Sequence, residues 1–399
     1  MKTVDQLDLH GKRVFVRVDF NTPLAEGPDG TLVVADDTRV REALPTLRHV
    51  VEHGGRLVVA SHLGRPKGKR DPKLSVAPPV RRLAELLGQP VPLLDGITGA
   101  EVEARVNALK PGEALALENV RFDPGEEKND PAFASALARL ADVYVNDAFG
   151  AAHRAHASTA GMVPLVAERA AGFLMKKELD YLGRVLAEPR RPFVAVLGGA
   201  KVSDKIGVLE RLVQIVDALI VGGAMAYTFL KAQGVRVGAS LVEDGHLDQA
   251  RRFLDTARQR GIVFLVPEDH VIVQAIDQPA GARTTEGAEI PDGWIGVDVG
   301  PKTRERFARE IRRGKTVMWN GPMGIFETDA YARGTQAVAD AVAEATKSGG
   351  TTIVGGGDSV AAARKAGVIP HITHVSTGGG ASLEYLEGKA LPGVAALEG

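Results

Sequence analysis

The sequence contains no cysteine, and neither sign of charge dominates it. Without a thiol, disulfides, thiolate metal sites and cysteine nucleophiles are excluded, and this composition suits a reducing interior. The 49 lysines and arginines against 50 aspartates and glutamates leave a formal net charge of −1. Such a chain has no overall electrostatic attraction to nucleic acid or to a membrane, so any anion-binding site must be local.

Long apolar runs are also missing. The first residues, MKTVDQLDLHGKRVFVRVDF, lack the continuous apolar region of a secretory signal, and no uninterrupted apolar run reaches membrane-spanning length. We therefore expect a cytoplasmic protein without a nucleic-acid or membrane partner. The 399 residues, 44% of them hydrophobic, are enough for a large buried core and for two to three domains.

Two common nucleotide-binding fingerprints are absent. The pattern G-x-G-x-x-G does not occur, which argues against the usual dinucleotide-binding turn. The tripeptide GKT at 314–316 resembles the end of a P-loop, but Arg309 occupies the position where that loop requires its first glycine.

What the sequence does contain is a repeated pattern of short apolar runs that end in polar residues or glycine. Runs such as RVFVRVDFN, VYVNDAFG, PFVAVLGGAK and TTIVGGGDS alternate with amphipathic segments such as VREALPTLRHVVEHG. This alternation is typical of β-α-β units, and continuous apolar strands are typical of parallel sheets covered on both faces. The pattern predicts an α/β protein with two doubly wound parallel-sheet, Rossmann-like domains.

The two halves differ in the residues that follow their predicted strands. In the first half these residues are mostly charged or polar, namely Arg17, Asp19, Asn21, Arg39, His62, Arg65, Arg121 and Arg154. In the second half they are mostly glycine, in the groups 198–199, 222–223, 355–357 and 378–380. Because ligands of parallel α/β sheets bind beyond the carboxyl ends of the strands, we expect one arginine-lined and one glycine-lined pocket.

A helix over 171–188 is predicted to join the two domains, 1–170 and 189–387. Leu174, Leu182 and Leu186 give this helix an apolar face, and the prolines at 189 and 192 end it.

The glycine-rich half carries two lysines in the stretch LGGAKVSDKIG. We place Lys201 and Lys205 at the start of a helix, where their spacing of four puts them on one face. Glycine-rich turns that open helices leave N–H groups available to anions, so both lysines are interpreted as phosphate ligands. Two solvated surface lysines are the alternative.

Two carboxylates in the same half have two interpretations each. Asp358, in GGGDS, is either a helix N-cap or a Mg²⁺ ligand, and the lysine pair favours the metal. Glu327 either accepts a hydrogen bond from a ribose hydroxyl or is an exposed carboxylate at a helix start.

In the first half, several basic residues from separate strand ends favour planar, two-pronged recognition of carboxylate or phosphate. Asp19 and Asn21 are two apart in a predicted extended run, so they share a face and can hold a substrate hydroxyl. His153 and His156 suggest a metal pair only superficially, because no further ligand cluster is evident.

At these residues the sequence closely resembles the phosphoglycerate kinase family. The matching stretches run in order from residue 17 to residue 384: RVDFNTPL, SHLGRP, LENVRF, NDAFGAAHRAHAS, GGAKVSDKI, WNGPMGIFE, GGGDS and STGGGASLE. The resemblance implies a hinge-closing, two-domain kinase of glycolysis that moves a phosphoryl group between ATP and the carboxylate of 3-phosphoglycerate. The products are 1,3-bisphosphoglycerate and ADP, formed in line without a covalent enzyme intermediate.

The resemblance also implies roles for individual residues. Those implied to hold phosphoglycerate are Asp19, Phe20, Asn21, Arg39, His62, Leu63, Gly64, Arg65, Arg121 and Arg154. Those implied to hold the nucleotide are Lys201, Lys205, Gly222, Gly296, Glu327, Gly356, Gly357, Asp358 and Ser359. Lys201 and Arg39 would flank the moving phosphoryl group, helped by N–H groups near Gly355 and Gly378.

The family pattern further implies that Asp358 binds Mg²⁺, with Asp204 as a weaker second candidate. The tail, residues 388–399, would return to the first domain, and the chain would be a monomer. Phosphoryl transfer depends mostly on positioning and on charge stabilisation. The acceptor carboxylate is already ionised at neutral pH, so no general base is needed. Closure of the two domains would keep water from the phosphoryl group.

Three other functions stay open on the sequence alone. A dinucleotide-dependent dehydrogenase is one, although the sequence lacks the fingerprint of that class, and binding of a nicotinamide cofactor would support it. A non-catalytic protein that closes on an anion would bind substrate without turnover. Another small-metabolite kinase would be revealed by a different acceptor.

Overall fold

Apolar, mostly β-branched runs in the first half of the chain form strands whose residues are largely buried. A computed structural model describes residues 1–399. It divides the chain into unit 1, made of Met1–Asp180 with Ala390–Gly399, and unit 2, made of Tyr181–Lys389. The division falls inside the helix that was predicted to join two domains.

The strands of unit 1 are β1 (Arg13–Val18), β2 (Leu24–Glu26), β3 (Leu32–Val34), β4 (Arg56–Ala60), β5 (Ala114–Ala116), β6 (Val143–Asp147) and β7 (Glu168–Ala171). Five of them form a parallel sheet in the order β5-β4-β1-β6-β7, and β2 pairs with β3 in an antiparallel hairpin. The helices that begin in this unit are α1 (Thr38–Glu52), α2 (Ala77–Leu87), α3 (Ala100–Asn107), α4 (Pro124–Glu127), α5 (Pro131–Ala138), α6 (Phe173–Ala187) and the terminal α14 (Pro392–Glu398).

The core of unit 1 lies between the sheet and its helices. Val14, Val16 and Val18 of β1 are fully buried and belong to one apolar cluster with Leu47 of α1 and Leu83 of α2. Each such side chain contributes about 1.5–3 kcal/mol when it is removed from water. This burial fixes the register of β1, and with it the point at which the chain leaves the sheet.

The strands of unit 2 are β8 (Phe193–Leu197), β9 (Ala218–Val221), β10 (Val263–Leu265), β11 (His270–Val273), β12 (Arg283–Thr284), β13 (Ile295–Val299), β14 (Thr316–Asn320), β15 (Thr351–Val354) and β16 (His374–Val375). Six form a parallel sheet in the order β10-β9-β8-β14-β15-β16, and β12-β11-β13 form a small antiparallel sheet. The helices are α7 (Ile206–Leu212), α8 (Met225–Ala232), α9 (Leu247–Gln259), α10 (Pro301–Arg313), α11 (Arg333–Lys347), α12 (Gly357–Lys365) and α13 (Gly380–Leu386).

The two parallel sheets confirm the predicted α/β class with two Rossmann-like sheets. The sequence GKT at 314–316 leads from the end of α10 into β14. It therefore joins a helix to a strand, whereas a P-loop joins a strand to a helix. The small antiparallel sheet was not predicted, because β12 has only two residues and both are exposed.

α6 spans Phe173–Ala187 and ends two residues before Pro189. Leu174 and Leu182 are buried, as their spacing predicts, whereas Val185 is buried in place of the half-exposed Leu186. No helix of the structure combines the length and the apolar character that crossing a membrane requires.

Candidate functional site

In unit 1, the predicted charged residues follow strands that lie side by side. β1 pairs with β4 on one side and with β6 on the other, all in parallel. The segments that follow these three strands therefore leave the same edge of the sheet, which brings Asp19, His62 and Arg154 to one end of the unit. The sequence separation between them is spanned by the crossover helices.

Asp19 is the acidic centre of this cluster. Its carboxylate accepts a hydrogen bond from Arg39 Nη1, and Oδ1 lies 4.0 Å from His62 Nε2. Burial alone would raise the pKa of Asp19, but the charge of Arg39 and the other nearby cationic groups hold it far below its usual value. The carboxylate therefore stays ionised and fixes the guanidinium of Arg39, which lies in the first turn of α1.

Asp19 and Asn21 do not lie in an extended run, so that part of the prediction is wrong. β1 ends at Val18, and the backbone N–H of Asn21 donates to Asp19 Oδ1 over 3.1 Å. This closes a turn, since a short acidic side chain readily binds the N–H two residues on. Asp19 is consequently buried while Asn21 is exposed.

Asn21 and Arg121 form hydrogen bonds with the two backbone polar groups of Gly64. Asn21 Oδ1 accepts from the N–H of Gly64 at 2.9 Å, and Arg121 Nη1 donates to its carbonyl oxygen at 2.9 Å. Gly64 has φ of +62°, a conformation that favours glycine. Burial, together with repulsion from Arg17, lowers the pKa of Arg121 to about 10.

The other residues implied for phosphoglycerate binding have different surroundings. Phe20 and Leu63 are buried in the apolar core beside the cluster, so their side chains are not placed to contact a ligand. Arg65 is exposed. Arg154 is half-buried, its Nε donates to His153 Nε2 at 3.2 Å, and its charge acts on Arg121.

Arg17, which the sequence analysis placed after a strand, lies inside β1 and belongs to a buried polar group beneath this cluster, which was not predicted. Arg17, Glu126 and Ser158 are all fully buried, and His156 is buried beside them. Burial, then repulsion from Arg121 and Arg17, lowers the pKa of His156 to about 3. One signal was available for Arg17, because an arginine inside the apolar run RVFVRV needs a buried partner; Glu126 and Ser158 carry no such signal.

In unit 2, glycines follow strands that are also neighbours. β8 pairs with β9 and β14, so the turns after these strands meet at one edge of the sheet. A Cβ on Gly222 would lie 2.3 Å from Met323 Sδ, and one on Gly223, whose φ is +68°, would lie 2.5 Å from the carbonyl oxygen of Gly199. The glycines therefore allow the backbone turns themselves to pack closely.

Lys201 and Lys205 do not lie on one face of a helix, because α7 begins at Ile206. The segment between the glycine pair and the helix forms a turn, and Lys201 is exposed there. Lys205 Nζ donates to the carbonyl oxygens of Gly198 at 2.5 Å and of Asn320 at 3.1 Å. Burial lowers the pKa of Lys205 to about 8, although the charges of Asp358 and Asp204 act in the opposite direction.

The turn 356–359 opens α12. Gly356 has φ of +91°, and Gly357 and Asp358 are exposed in the first turn of the helix. Ser359 is buried, and its hydroxyl accepts from the backbone N–H of Gly321 at 2.5 Å. Ser359 therefore ties this turn to the end of β14, whereas Asp358 is left free to face solvent.

The N–H groups of Gly355 and Gly378 have partners inside the protein. That of Gly355 donates to the carbonyl oxygen of Trp319 at 3.0 Å, and that of Gly378 to Ser376 Oγ at 3.2 Å. Both glycines lie at the carboxyl edge of the unit 2 sheet. Their role in catalysis stays a prediction.

Gly296 lies in β13 of the small antiparallel sheet, and Glu327 follows β14 in the chain. A Cβ on Gly296 would lie 2.0 Å from Tyr227 Oη, and the N–H of Gly296 donates to Ser240 Oγ at 3.0 Å. Glu327 is exposed on the segment after Gly324. Its contact with a ribose stays a prediction.

One unpredicted carboxylate is buried in each unit, Asp147 at the end of β6 and Asp298 in β13. Asp147 accepts from the N–H of Met175 at 3.0 Å, and Asp298 accepts from that of Gly334 at 2.7 Å. In both cases burial raises the pKa to about 7, against the lowering effect of these hydrogen bonds. Both carboxylates cap the start of a helix, α6 and α11 respectively.

A metal ion would find few protein ligands here. No group of three or more histidine, aspartate or glutamate side chains is placed to hold one. Asp358 and Asp204 are exposed, and both act electrostatically on Lys205. Since Mg²⁺ usually takes one or two carboxylates and completes its shell with phosphate oxygens and water, these residues fit an ion carried by a nucleotide.

Comparison with known proteins agrees with this arrangement. The family model described as "Phosphoglycerate kinase" matches residues 4–389. The phosphoglycerate kinase of Rubrobacter xylanophilus is 57% identical over 399 residues, which cover 99% of this chain and 98% of the relative. That of Anaeromyxobacter sp. is 56% identical over 400 residues, covering 100% of this chain and 99% of the relative.

Solved structures agree as well. Phosphoglycerate kinase from Coxiella burnetii matches with a TM-score of 0.88 at 41% identity, over 99% of this chain and 98% of that one. The enzyme from Pyrococcus horikoshii matches with a TM-score of 0.82 at 30% identity, over 100% of this chain and 98% of that one. The chain therefore belongs to the phosphoglycerate kinase family.

Proposed function

We propose that unit 1 binds 3-phosphoglycerate and unit 2 binds the nucleotide in the reaction of this family. That reaction is the reversible transfer of a phosphoryl group between ATP and the carboxylate of 3-phosphoglycerate, and it makes the chain a phosphotransferase of glycolysis. One observation carries the division of ligands: cationic side chains lie at the carboxyl edge of the unit 1 sheet, and close-packed glycine turns at that of unit 2.

For phosphoglycerate, the cluster around Asp19 supplies both signs of charge. We assign Arg39, Arg65, Arg121 and Arg154 to the two anionic groups of this substrate, because guanidinium groups bind carboxylate and phosphate in a two-pronged geometry. Asp19 and Asn21 are assigned to its hydroxyl, and His62 and the backbone of Leu63 and Gly64 to the surrounding contacts. The ionised Asp19 supports this, since it keeps Arg39 in place before the substrate arrives.

For the nucleotide, Lys205 and the turn 356–359 are assigned to the phosphates. Gly222, Gly296 and Glu327 are assigned to the nucleoside. Asp358 is proposed to hold Mg²⁺ together with phosphate oxygens, with Asp204 as the second candidate. The ion, when bound, offsets negative charge on the phosphates.

The chemical step requires no general base, because the attacking carboxylate is ionised at neutral pH. We propose that Lys201 and Arg39 flank the phosphoryl group as it moves in line, with N–H groups near Gly355 and Gly378. Lys201 is suited to this part because it is exposed, in contrast to Lys205. No covalent enzyme intermediate is proposed.

We further propose that the two units close on their ligands, that the chain acts as a monomer, and that it works in the cytoplasm. Closure follows from the chemistry, since water would otherwise accept the phosphoryl group. The cytoplasmic location follows from the glycolytic role of the family. Light scattering on a sizing column tests the monomer.

The experiment that tests the function measures ADP formed from ATP with and without 3-phosphoglycerate at fixed Mg²⁺. ADP should form only with 3-phosphoglycerate, and chelation of the metal should abolish it. ADP at background level in folded protein would overturn the assignment. ADP formation with another carboxylate but not with this one would identify a different acceptor.

A further inference from the structure

The buried polar group beneath the cluster around Asp19 contains two charges that need compensation. Arg17 is fully buried in β1, and Glu126 is fully buried on α4. Burying an ion is costly unless it is paired and its hydrogen-bonding groups are satisfied. The two charges are not in direct hydrogen-bond contact, because the side chain of Ser158 lies between them.

The donors and acceptors of this group allow each of its hydrogen bonds to be donated in one direction only. Arg17 has donors and no acceptor. Its Nε donates to Ser158 Oγ at 2.8 Å, so the single hydroxyl proton of Ser158 goes to Glu126 Oε1, 2.5 Å away. The backbone N–H of Ser158 donates to Oε2 of the same carboxylate at 2.9 Å. Both oxygens of Glu126 thus accept, as those of an ionised carboxylate do.

The other end of Arg17 reaches His62. Arg17 Nη2 lies 3.1 Å from His62 Nδ1. Because a guanidinium nitrogen can only donate, Nδ1 must accept and carries no proton. A neutral imidazole then carries its proton on Nε2, the atom that lies 4.0 Å from Asp19 Oδ1. Burial and the neighbouring arginines favour this neutral form, since they lower the pKa of His62 well below its usual value.

From this geometry we propose that Glu126 and Ser158 are positioning residues, which act through Arg17 to fix the Nε2–H tautomer of His62. The relay runs from the carboxylate of Glu126 through Ser158 and Arg17 to the imidazole. It presents an N–H donor at the edge where Asp19 and Arg39 lie. The effect on substrate affinity rests on the proposed function of unit 1, whereas the tautomer does not.

The first test reads the tautomer of His62 in the unaltered chain. Two-bond ¹⁵N–¹H correlation spectra of the ¹⁵N-histidine-labelled full chain distinguish protonated from unprotonated ring nitrogens. The His62 signal, assigned by its loss in His62→Gln, should show a protonated Nε2 and an unprotonated Nδ1. A proton on Nδ1, or on both nitrogens near neutral pH, overturns the relay.

The second test removes the central hydroxyl. Ser158→Ala should raise the KM for 3-phosphoglycerate about tenfold, the effect expected when a hydrogen bond to a charged group is lost, and leave the KM for ATP within about twofold. His62 in this variant should show a mixture of tautomers. Ser135→Ala on α5, an exposed serine of the same unit, is the matched control and should change neither KM.

The outcomes separate this inference from the function it builds on. If the unaltered chain shows no turnover with 3-phosphoglycerate, the function falls, while the tautomer of His62 still tests the relay. If turnover is normal and Ser158→Ala changes neither the tautomer nor the KM, the relay falls alone. If Ser158→Ala raises the KM for 3-phosphoglycerate and the KM for ATP equally, the variant has a general folding defect. That result contradicts a role specific to His62.

Discussion

At the scale of single residues, Lys201 and Lys205 lie four positions apart and have different surroundings. Lys201 is exposed, whereas Lys205 is half-buried and donates to two main-chain carbonyl oxygens. A side chain that the fold already holds in place is suited to a contact that lasts throughout the reaction. One that is free is suited to a contact made only as the phosphoryl group moves.

Lys201→Ala should lower kcat about a hundredfold or more and raise the KM for either substrate far less. The reason is that an interaction made only in the transition state appears in kcat. Steady-state kinetics with both substrates varied give the values. Lys231→Ala, at an exposed lysine of the same unit paired with Asp244, is the control and should be unchanged. A retained kcat would remove the transition-state role of Lys201.

Lys205 should take up protons when the nucleotide binds. Its pKa of about 8 in the free chain means that near pH 8 a large fraction is neutral, and phosphate oxygens should return it to the charged form. Calorimetry at pH 8 in buffers of different ionisation enthalpy counts the protons. Lys205→Arg, which stays charged, should reduce the uptake to near zero. Equal uptake in both chains would mean that another group is responsible.

Asp147 and Asp298 should make the fold less stable as pH rises. Their folded pKa values of about 7 exceed the ordinary value of 3.8, so the native state keeps protons that the unfolded state releases. The free energy of unfolding should therefore fall between about pH 4 and pH 7, by up to about 1.4 kcal/mol per pH unit for each group.

Urea unfolding from pH 5 to pH 8 measures this slope. Asp147→Asn and Asp298→Asn should each flatten it. Asp255→Asn, at an exposed carboxylate of α9, should leave it as it is. Parallel slopes in all four chains would show that neither buried carboxylate binds a proton in this range.

Single residues also show how far sequence reasoning reaches. The placement of Asp19, His62 and Arg121 at one edge of a sheet could be predicted, because each follows an apolar run. Glu126 and Ser158 were not found, since an ordinary glutamate and serine become partners of Arg17 only after three distant segments have packed together. The lysine pair was placed on a helix because the pattern does not show that the chain turns once more before Ile206.

At the scale of elements, the last helix belongs structurally with the first part of the chain. Gly393 at the start of α14 donates its N–H to the carbonyl oxygen of Ala152 at 2.9 Å, and its own carbonyl oxygen accepts from Asn146 Nδ2 at 3.1 Å. A Cβ on Gly393 would lie 3.0 Å from Ala152 Cα. The helix thus supports the segment that carries Arg154.

A chain that ends at Lys389 should lose stability in unit 1 and bind phosphoglycerate more weakly. The buried Leu391 and Leu397 alone account for about 3–6 kcal/mol. The KM for 3-phosphoglycerate should rise more than that for ATP, measured beside urea unfolding. A chain that ends at Leu397 loses only two exposed residues and should behave like the full chain. An unchanged KM in the shorter chain would show that α14 does not support the cluster.

Elements with strong patterns were the ones that sequence analysis recovered. The parallel strands are buried along most of their length, so they appear as continuous apolar runs. β12 is fully exposed and β2 nearly so. Such strands form because neighbouring strands offer hydrogen bonds, so no pattern in their own sequence predicts them.

At the scale of the whole molecule, the proposal requires that two ligands held by different units meet. Small-angle scattering should show a smaller radius of gyration when 3-phosphoglycerate and a nonreactive nucleotide are both present. Each ligand alone should produce less change. Dimensions that stay the same with both ligands bound would contradict closure.

The order of the chain within the units has a consequence for the newly made protein. Unit 1 consists of Met1–Asp180 and Ala390–Gly399, with all of unit 2 between them in sequence. On the ribosome, the first 180 residues therefore emerge well before the helix that completes their packing, and unit 2 can finish folding first. Unit 1, whose synthesis begins first, can thus complete its packing, including that around Asp19, only after α14 has been made.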